Sequence, residues 1–230
     1  MKHESVIEAR IAGTPIDFLE DFDDDNLVIH PLKRAFDLVV AIPALIFLSP
    51  LLFAIAIGVR LSSAGPSIFF QERCGLGGRM FQCLKFRTMV VDAKERLEQI
   101  LMDDPDLAEE WKANQKLRKD PRITPFGLFL RKTSLDELPQ LVNIIRGDMS
   151  IIGPRPIVAS ERSRYGEDMV SYNRVRPGVT GLWQISGRND TTYEERVALD
   201  VEYVEAWSLK RDLEIFFKSI PAILFSRGAY

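Results

Sequence analysis

Histidine is nearly missing from this 230-residue chain: His3 and His30 are its two copies, and they stand alone. No Ser-His-Asp, zinc or haem spacing surrounds them, which excludes a serine-hydrolase triad or a histidine-built metal centre as the basis of any chemistry. Cysteine is as scarce. Cys74 and Cys83 flank a glycine-rich turn, and nothing points to an oxidising compartment, so buried free thiols are favoured over a disulfide. No repeat and no low-complexity stretch is present. The first residues lack the apolar core and cleavage pattern of a signal peptide. Gly75-Leu-Gly-Gly-Arg79 is followed by no Lys-Ser/Thr and opens no clear helix, so it reads as a hairpin turn rather than a phosphate loop.

Charge is unevenly spread. Of 33 acids and 30 bases, residues 1–31 hold eight acids and two bases, which leaves the remainder of the chain at net +3. Residues 1–31 show no periodicity and read as an acidic disordered tail, with a partner-binding segment as the alternative. The mildly basic body suits lipid headgroups or phosphate ligands.

What the chain has in abundance is one apolar run. Leu38 to Val59 is about 22 residues without a charge, long enough to span a bilayer. Pro50 sits near its middle, where it removes a backbone hydrogen bond, and Ser49 can return one to the freed backbone. Lys33 and Arg34 precede the run and Arg60 follows it, so the positive-inside tendency holds both ends on the cytoplasmic side. A re-entrant hairpin broken at Ser49-Pro50 satisfies both observations; a straight, tilted span is the alternative.

Beyond the run, Ser67 to Glu72 and Met80 to Phe86 read as paired strands. Val91 to about Gln115 reads as helical with a break at Asp104-Pro105. Residues 121–149 hold two further helices, and Thr192 to about Trp207 another, with Glu194, Glu195 and Arg196 on its exposed side. Leu213 to Phe225 is apolar yet carries Glu214, Lys218 and Pro221. With Trp207, Arg211 and Arg227 nearby, it is either an interfacial amphipathic helix or one packed on the core. The expected fold class is α+β, mostly helical. Residues 1–31 form the tail, 32–61 the membrane segment, and 62–230 a membrane-apposed cytosolic domain with a small β-hairpin.

The chemistry concentrates in Asp136-Glu137. Ser134-x-x-Glu137 has the form of a capping box, and Gly147 closes the segment, which places both acids in a first helical turn. One reading is capping and macrodipole compensation. The other is functional: the helix N-terminus lowers the Asp136 pKa and draws in a substrate phosphate, an ionised aspartate can bind Mg²⁺ or attack phosphorus, and one of the two acids could serve as nucleophile while the other handles a proton or metal. Candidate phosphate-binding cations are Lys85 and Arg87, on one face of a strand by alternation, with Arg131, Arg155, Arg176 and Arg188. Arg155, fixed between Pro154 and Pro156, is the least ordinary of them; singly, the others also read as surface residues. Trp183 is either a core anchor or a platform for a base.

Lys33-Arg34-x-Phe36-Asp37, the Ser49-Pro50 kink, Lys85-Phe-Arg-Thr-Met89, Asp136-Glu137 and Pro154-Arg-Pro156, in this order and spacing, resemble the small monotopic polyprenyl-phosphate phosphoglycosyl transferases, the bacterial sugar transferase family. The likeness runs from about Lys33 to the C-terminus. Pro177 to Asp190 is similar to the exopolysaccharide-initiating, galactosyl-phosphate-transferring rhizobial branch. The resemblance implies a re-entrant membrane helix on the cytoplasmic face of the bacterial inner membrane. It implies a ping-pong, Mg²⁺-dependent transfer of hexose-1-phosphate from a UDP-sugar to undecaprenyl phosphate, with galactose ahead of glucose. Asp136 would be the nucleophile and a metal ligand, with Glu137 assisting. Lys85, Arg87, Arg131 and Arg155 would hold phosphates, and Pro154, Pro156, Arg176 and Arg188 would be the candidate nucleotide-pocket residues. The expected partners are UDP-sugar, undecaprenyl phosphate and membrane lipid, with no nucleic acid and a homo-oligomer left open. Two other readings are a soluble nucleotide-sugar enzyme whose apolar run is core, and a membrane-attached adaptor without catalysis.

Overall fold

The computed structural model describes residues 27–28, 30–114, 117–186 and 191–224. The acidic tail, apart from its last few residues, and Arg188 lie outside them.

Helix α1 runs from Pro31 to Ser62. His30 caps it by accepting a hydrogen bond from the Leu32 N–H, and Pro31 supplies a first position with no donor to lose. The helix passes Pro43 and Pro50 without a break in its assignment, where the sequence led us to expect two segments. The reason is local. Pro50 leaves the Ile46 carbonyl without its usual donor, and the Ser49 hydroxyl donates to that carbonyl at 2.8 Å.

Strands β1 (Ile68–Cys74) and β2 (Met80–Phe86) form the expected antiparallel hairpin, in register from Ile68 opposite Phe86 to Cys74 opposite Met80. Helices α2 (Ala93–Asp103) and α3 (Pro105–Asn114) meet at the expected break. Helix α4 (Pro125–Lys132) starts at Thr124, whose hydroxyl accepts from the Gly127 N–H. A 3₁₀ turn, Leu135–Glu137, then leads into α5 (Gln140–Arg146), closed by Gly147 at φ 93°. Strand β3 (Ser150–Ile152) pairs in parallel with β4 (Gly178–Thr180). Between them lie the short helices α6 (Arg162–Tyr165) and α7 (Met169–Asn173). The chain ends in α8 (Leu182–Ile185), α9 (Tyr193–Glu205) and α10 (Leu209–Leu224). The second sheet was not anticipated: its strands are three residues each, too short for alternation to register. Gly178 is required there, since a Cβ would lie 2.1 Å from the Gly153 nitrogen.

Both ends of α1 are held by the same body. At its start, the buried Lys33 ammonium donates to Asp212 Oδ2 (2.7 Å), the Ile152 carbonyl (2.9 Å) and Tyr203 Oη (3.1 Å), using all three of its hydrogens. Removing one partner from a buried pair of this kind costs about 3–5 kcal/mol. Arg34 donates to the Ile144 and Ile145 carbonyls at the C-terminal end of α5. Asp37 accepts from Ser150 and from the Ile151 N–H. At the other end, Ile55 and Val59 pack with Phe86 and Leu130, and Ser67 donates to the Ala56 carbonyl. Between these anchors Ile46, Phe47 and Phe53 are exposed. The helix is long and apolar enough to cross a membrane, and little of its apolar window is buried by protein.

The main core joins Ile144, Met149, Ile152, Tyr203 and Ile215; a second gathers Cys74, Ile157, Tyr165, Met169, Tyr172 and Val197. Both cysteines are buried and free, as read from the sequence. Helix α10 packs on the core by one face and exposes another. Asp212, Ile215 and Ser219 are buried, while Leu213, Phe217 and Ile220 form an exposed apolar stripe at helical spacing.

Candidate active site

The turn that carries Asp136 and Glu137 departs from the expected capping box. Ser134 has φ 55°, the one positive φ outside glycine among the described residues, and its side chain caps nothing. An N-cap needs extended dihedrals, so a left-handed Ser134 cannot serve. It instead reverses the chain after α4, and the acids sit on a 3₁₀ turn ahead of α5 rather than in the first turn of an α-helix.

Glu137 accepts a hydrogen bond from Lys85 Nζ at 2.6 Å, and Lys85 reaches it from the end of β2. Burial alone would raise the Glu137 pKa. Lys85, by charge and by its hydrogen bond, outweighs that with Arg155 and Arg73, and the carboxyl is held below its ordinary value. Asp136 forms no ion pair among the described residues. Burial, and then the neighbouring Glu137 charge, push its pKa up to about 6 against the pull of Lys85 and Arg131. This reverses the expectation of a lowered Asp136: partial burial and a like charge next door win over any helix-end field. The two acids are therefore differentiated. Glu137 is a carboxylate pinned by Lys85 with its pKa held down, and Asp136 is an unpaired one of raised basicity.

Lys85, Arg131 and Arg155 all act on this pair through charge. Arg131 is oriented by a 2.8 Å hydrogen bond from its Nε to Thr88 Oγ1. Arg155 is exposed, with its guanidinium over the Trp183 ring at 5.8 Å. Trp183 is buried, and Arg196 also lies over it, at 4.9 Å. Pro154 and Pro156 frame Arg155 and fix its backbone.

Two of the candidates are not brought to the pair. Arg87 leaves the hairpin just past the last residue of β2, and so leaves the alternation that would align it with Lys85. Its Nη2 donates to the Ser63 carbonyl at 2.7 Å, beyond the end of α1, and Gly65 makes room for it. Arg176 donates to the Gly147 carbonyl beside Arg34 and Asp37. One residue was missed. Arg73, on β1, acts by charge on both Glu137 and Arg155. The strand reading stopped at Glu72, and period-two alternation extended by one residue was the only signal available.

Among the described residues no group of three or more His, Cys, Asp or Glu gathers to hold a metal. Mg²⁺ does not require such a group. Mg²⁺ at phosphoryl-transfer sites is held by one or two carboxylates, with substrate phosphates and water completing the shell. The unpaired Asp136 carboxylate, with Glu137 beside it, is such a donor set.

A profile of the bacterial sugar transferase family matches residues 28–226. The chain belongs to this family. It is a phosphoglycosyl transferase, as its motifs led us to expect. It is 53% identical over 198 residues to the exopolysaccharide production protein ExoY of Rhizobium meliloti, covering 86% of this chain and 88% of that one. It is 49% identical over 199 residues to an undecaprenyl-phosphate galactose phosphotransferase of Salmonella typhimurium, covering 86% of this chain and 42% of that longer one. It is 40% identical over 206 residues to a UDP-glucose:undecaprenyl-phosphate glucose-1-phosphate transferase of Caulobacter vibrioides, covering 86% and 72%.

The raised Asp136 pKa has a consequence for stability. A folded value near 6 against 3.8 in the unfolded chain stabilises the fold at low pH, and that contribution is lost as pH rises through about 6. Above that pH the ionised side chain opposes folding. Asp136→Asn should therefore raise Tm at pH 7.5 by a few degrees, and the gain should vanish below pH 4. Melting curves at both pH values check this, and an equal Tm at pH 7.5 would contradict it.

Proposed function

We propose that this protein transfers hexose-1-phosphate from a UDP-sugar to undecaprenyl phosphate, releasing UMP, in the first membrane step of exopolysaccharide synthesis. The observation that carries the mechanism is the split between the two acids. Glu137 is committed to Lys85, and Asp136 is left unpaired and more basic. A nucleophile needs both properties.

In this reading an Asp136 carboxylate oxygen attacks the sugar-bearing phosphorus. The bond from that phosphorus to the bridging oxygen breaks, and UMP departs with the electron pair. The sugar phosphate is left on Asp136 as an acyl phosphate. A phosphate oxygen of undecaprenyl phosphate then attacks the same phosphorus. The aspartyl–phosphorus bond breaks, giving the lipid diphosphate sugar and the free carboxylate. Lys85, Arg131 and Arg155 offset the repulsion between two anionic substrates and a carboxylate. Lys85 also keeps Glu137 oriented. Asp136 would be the residue that holds Mg²⁺, which would supply further charge neutralisation.

The body would lie on the cytoplasmic face of the bacterial inner membrane, with α1 entering and returning as a monotopic, re-entrant element. What favours this is that both ends of α1 are tied to one polar body while its exposed middle is apolar. The stripe of Leu213, Phe217 and Ile220 suits the same surface. Galactose is favoured over glucose because the relative named for galactose is the more similar, at 49% against 40% identity.

UMP release in detergent with Mg²⁺, undecaprenyl phosphate and a panel of UDP-sugars tests the reaction. Release should be greatest with UDP-galactose, fall as pH drops through about 6, and reach background in Asp136→Asn. Full release by that variant would refute the role of Asp136. For the membrane element, cysteines introduced as His30→Cys and Arg60→Cys should both be labelled only from the cytoplasmic side; labelling of the second from outside would show a span.

A further inference from the structure

The phosphate cation Arg155 stands on a turn whose backbone is gripped at nearly every polar group. The Pro154 carbonyl accepts from the Gly178 N–H at 2.8 Å. The Arg155 carbonyl lies 3.0 Å from the Tyr172 hydroxyl, which also accepts from the Ile157 N–H at 3.3 Å. The Pro156 carbonyl accepts from Arg73 Nη1 at 3.0 Å, and the Ile157 carbonyl from the Cys74 N–H at 2.8 Å. Tyr172 also bonds the Cys74 carbonyl, at 3.2 Å. Two side chains, Arg73 and Tyr172, thus lock the turn onto the end of β1. Its outer side chain, Arg155, pairs with no carboxylate among the described residues.

Arg73 is placed at a cost. It is largely buried, with Nη2 on Gln71 Oε1 at 2.6 Å, and it pairs with Glu161 at 3.6 Å. Burial and the nearby Arg155 charge both work against its ionised form. Two guanidiniums that act on each other by charge, one of them on the exposed Arg155, favour an anion beside them. A rigid backbone under a flexible arginine also removes freedom the substrate would otherwise have to freeze out.

We propose that Arg73 is a positioning residue for the donor's diphosphate: by clamping the Pro156 carbonyl, with Tyr172 holding the other side of the turn, it fixes where Arg155 meets the transferred phosphate. The proposal rests on the reading that Arg155 holds a substrate phosphate. It predicts a pattern that loss of a merely structural residue does not give. Arg73 should work through Arg155, so their losses should not multiply.

UMP release kinetics of the full-length protein test this in a double-mutant cycle. Release by the unmodified protein tests the transferase reading separately. Arg73→Met should lower kcat/KM for the UDP-sugar about 100-fold, the scale of a misplacement of ~1 Å. Arg73→Lys, which can keep one bond to Pro156, should recover part of that loss. Arg155→Met should cost at least as much, and the double variant should be no worse than Arg155→Met alone. Multiplying losses, or wild-type kcat/KM in Arg73→Met, would overturn the proposal. If Arg73→Met fails to melt cooperatively, Tyr172→Phe takes its place in the cycle, since it removes one hydroxyl and keeps the ring. Wild-type kinetics in Tyr172→Phe, or losses that multiply with Arg155→Met, would then overturn it.

Discussion

Two carboxylates on consecutive residues cannot share a partly buried turn as equals, and the Lys85–Glu137 ion pair is what separates them. It satisfies one acid and leaves the other with a like charge beside it. Burial first, and that neighbouring charge second, raise the pKa of Asp136, which is left without an ion-pair partner among the described residues. The pair also links the hairpin to the turn ahead of α5. Lys85 lies at the end of β2, and the neighbouring Phe86 packs with Leu130, Leu135 and Leu138 around the turn. The electrostatics of the site and the packing beneath it are thus set by the same two residues of β2.

A second constraint is the grip on α1. In the proposed reaction the lipid acceptor stays in the bilayer, which requires the turn that carries Asp136 to be held at a fixed height relative to α1. The structure provides that coupling through backbone carbonyls. Arg34 holds the C-terminal carbonyls of α5, the helix that follows the catalytic turn, while the far end of α1 packs against α4, the helix that precedes it. The Lys33-Arg34-x-Phe36-Asp37 motif is therefore part of the scaffold of the site, although none of its residues touches the acids.

What could be read from the sequence was what depends on near neighbours. The hairpin, the break at Asp104-Pro105, the glycine closing α5 and the buried thiols all follow from alternation, turn chemistry or composition. Ser49 recovering the Ile46 carbonyl was legible because its partner is three residues away. What failed depends on distant partners. The pattern Ser/Thr-x-x-Glu occurs at Ser134 and again at Thr192, and only the second forms a capping box. At the first, Glu137 is taken by a lysine 52 positions away. Arg73 was invisible for the same reason: its partner carbonyl at Pro156 is 83 positions distant. Arg87 and Arg176 looked like phosphate ligands because an arginine's chemistry is plain in sequence, while the carbonyl it will satisfy is not.

In the proposed reaction Asp136 itself carries the sugar phosphate between the two half-reactions. The most direct measurement is mass spectrometry of protein quenched after exposure to UDP-galactose and Mg²⁺ with no lipid acceptor. The expected result is a hexose-phosphate adduct on the peptide that contains Asp136, lost on adding undecaprenyl phosphate and absent in Asp136→Asn. UMP release with no adduct, or an adduct on any other residue, would contradict it.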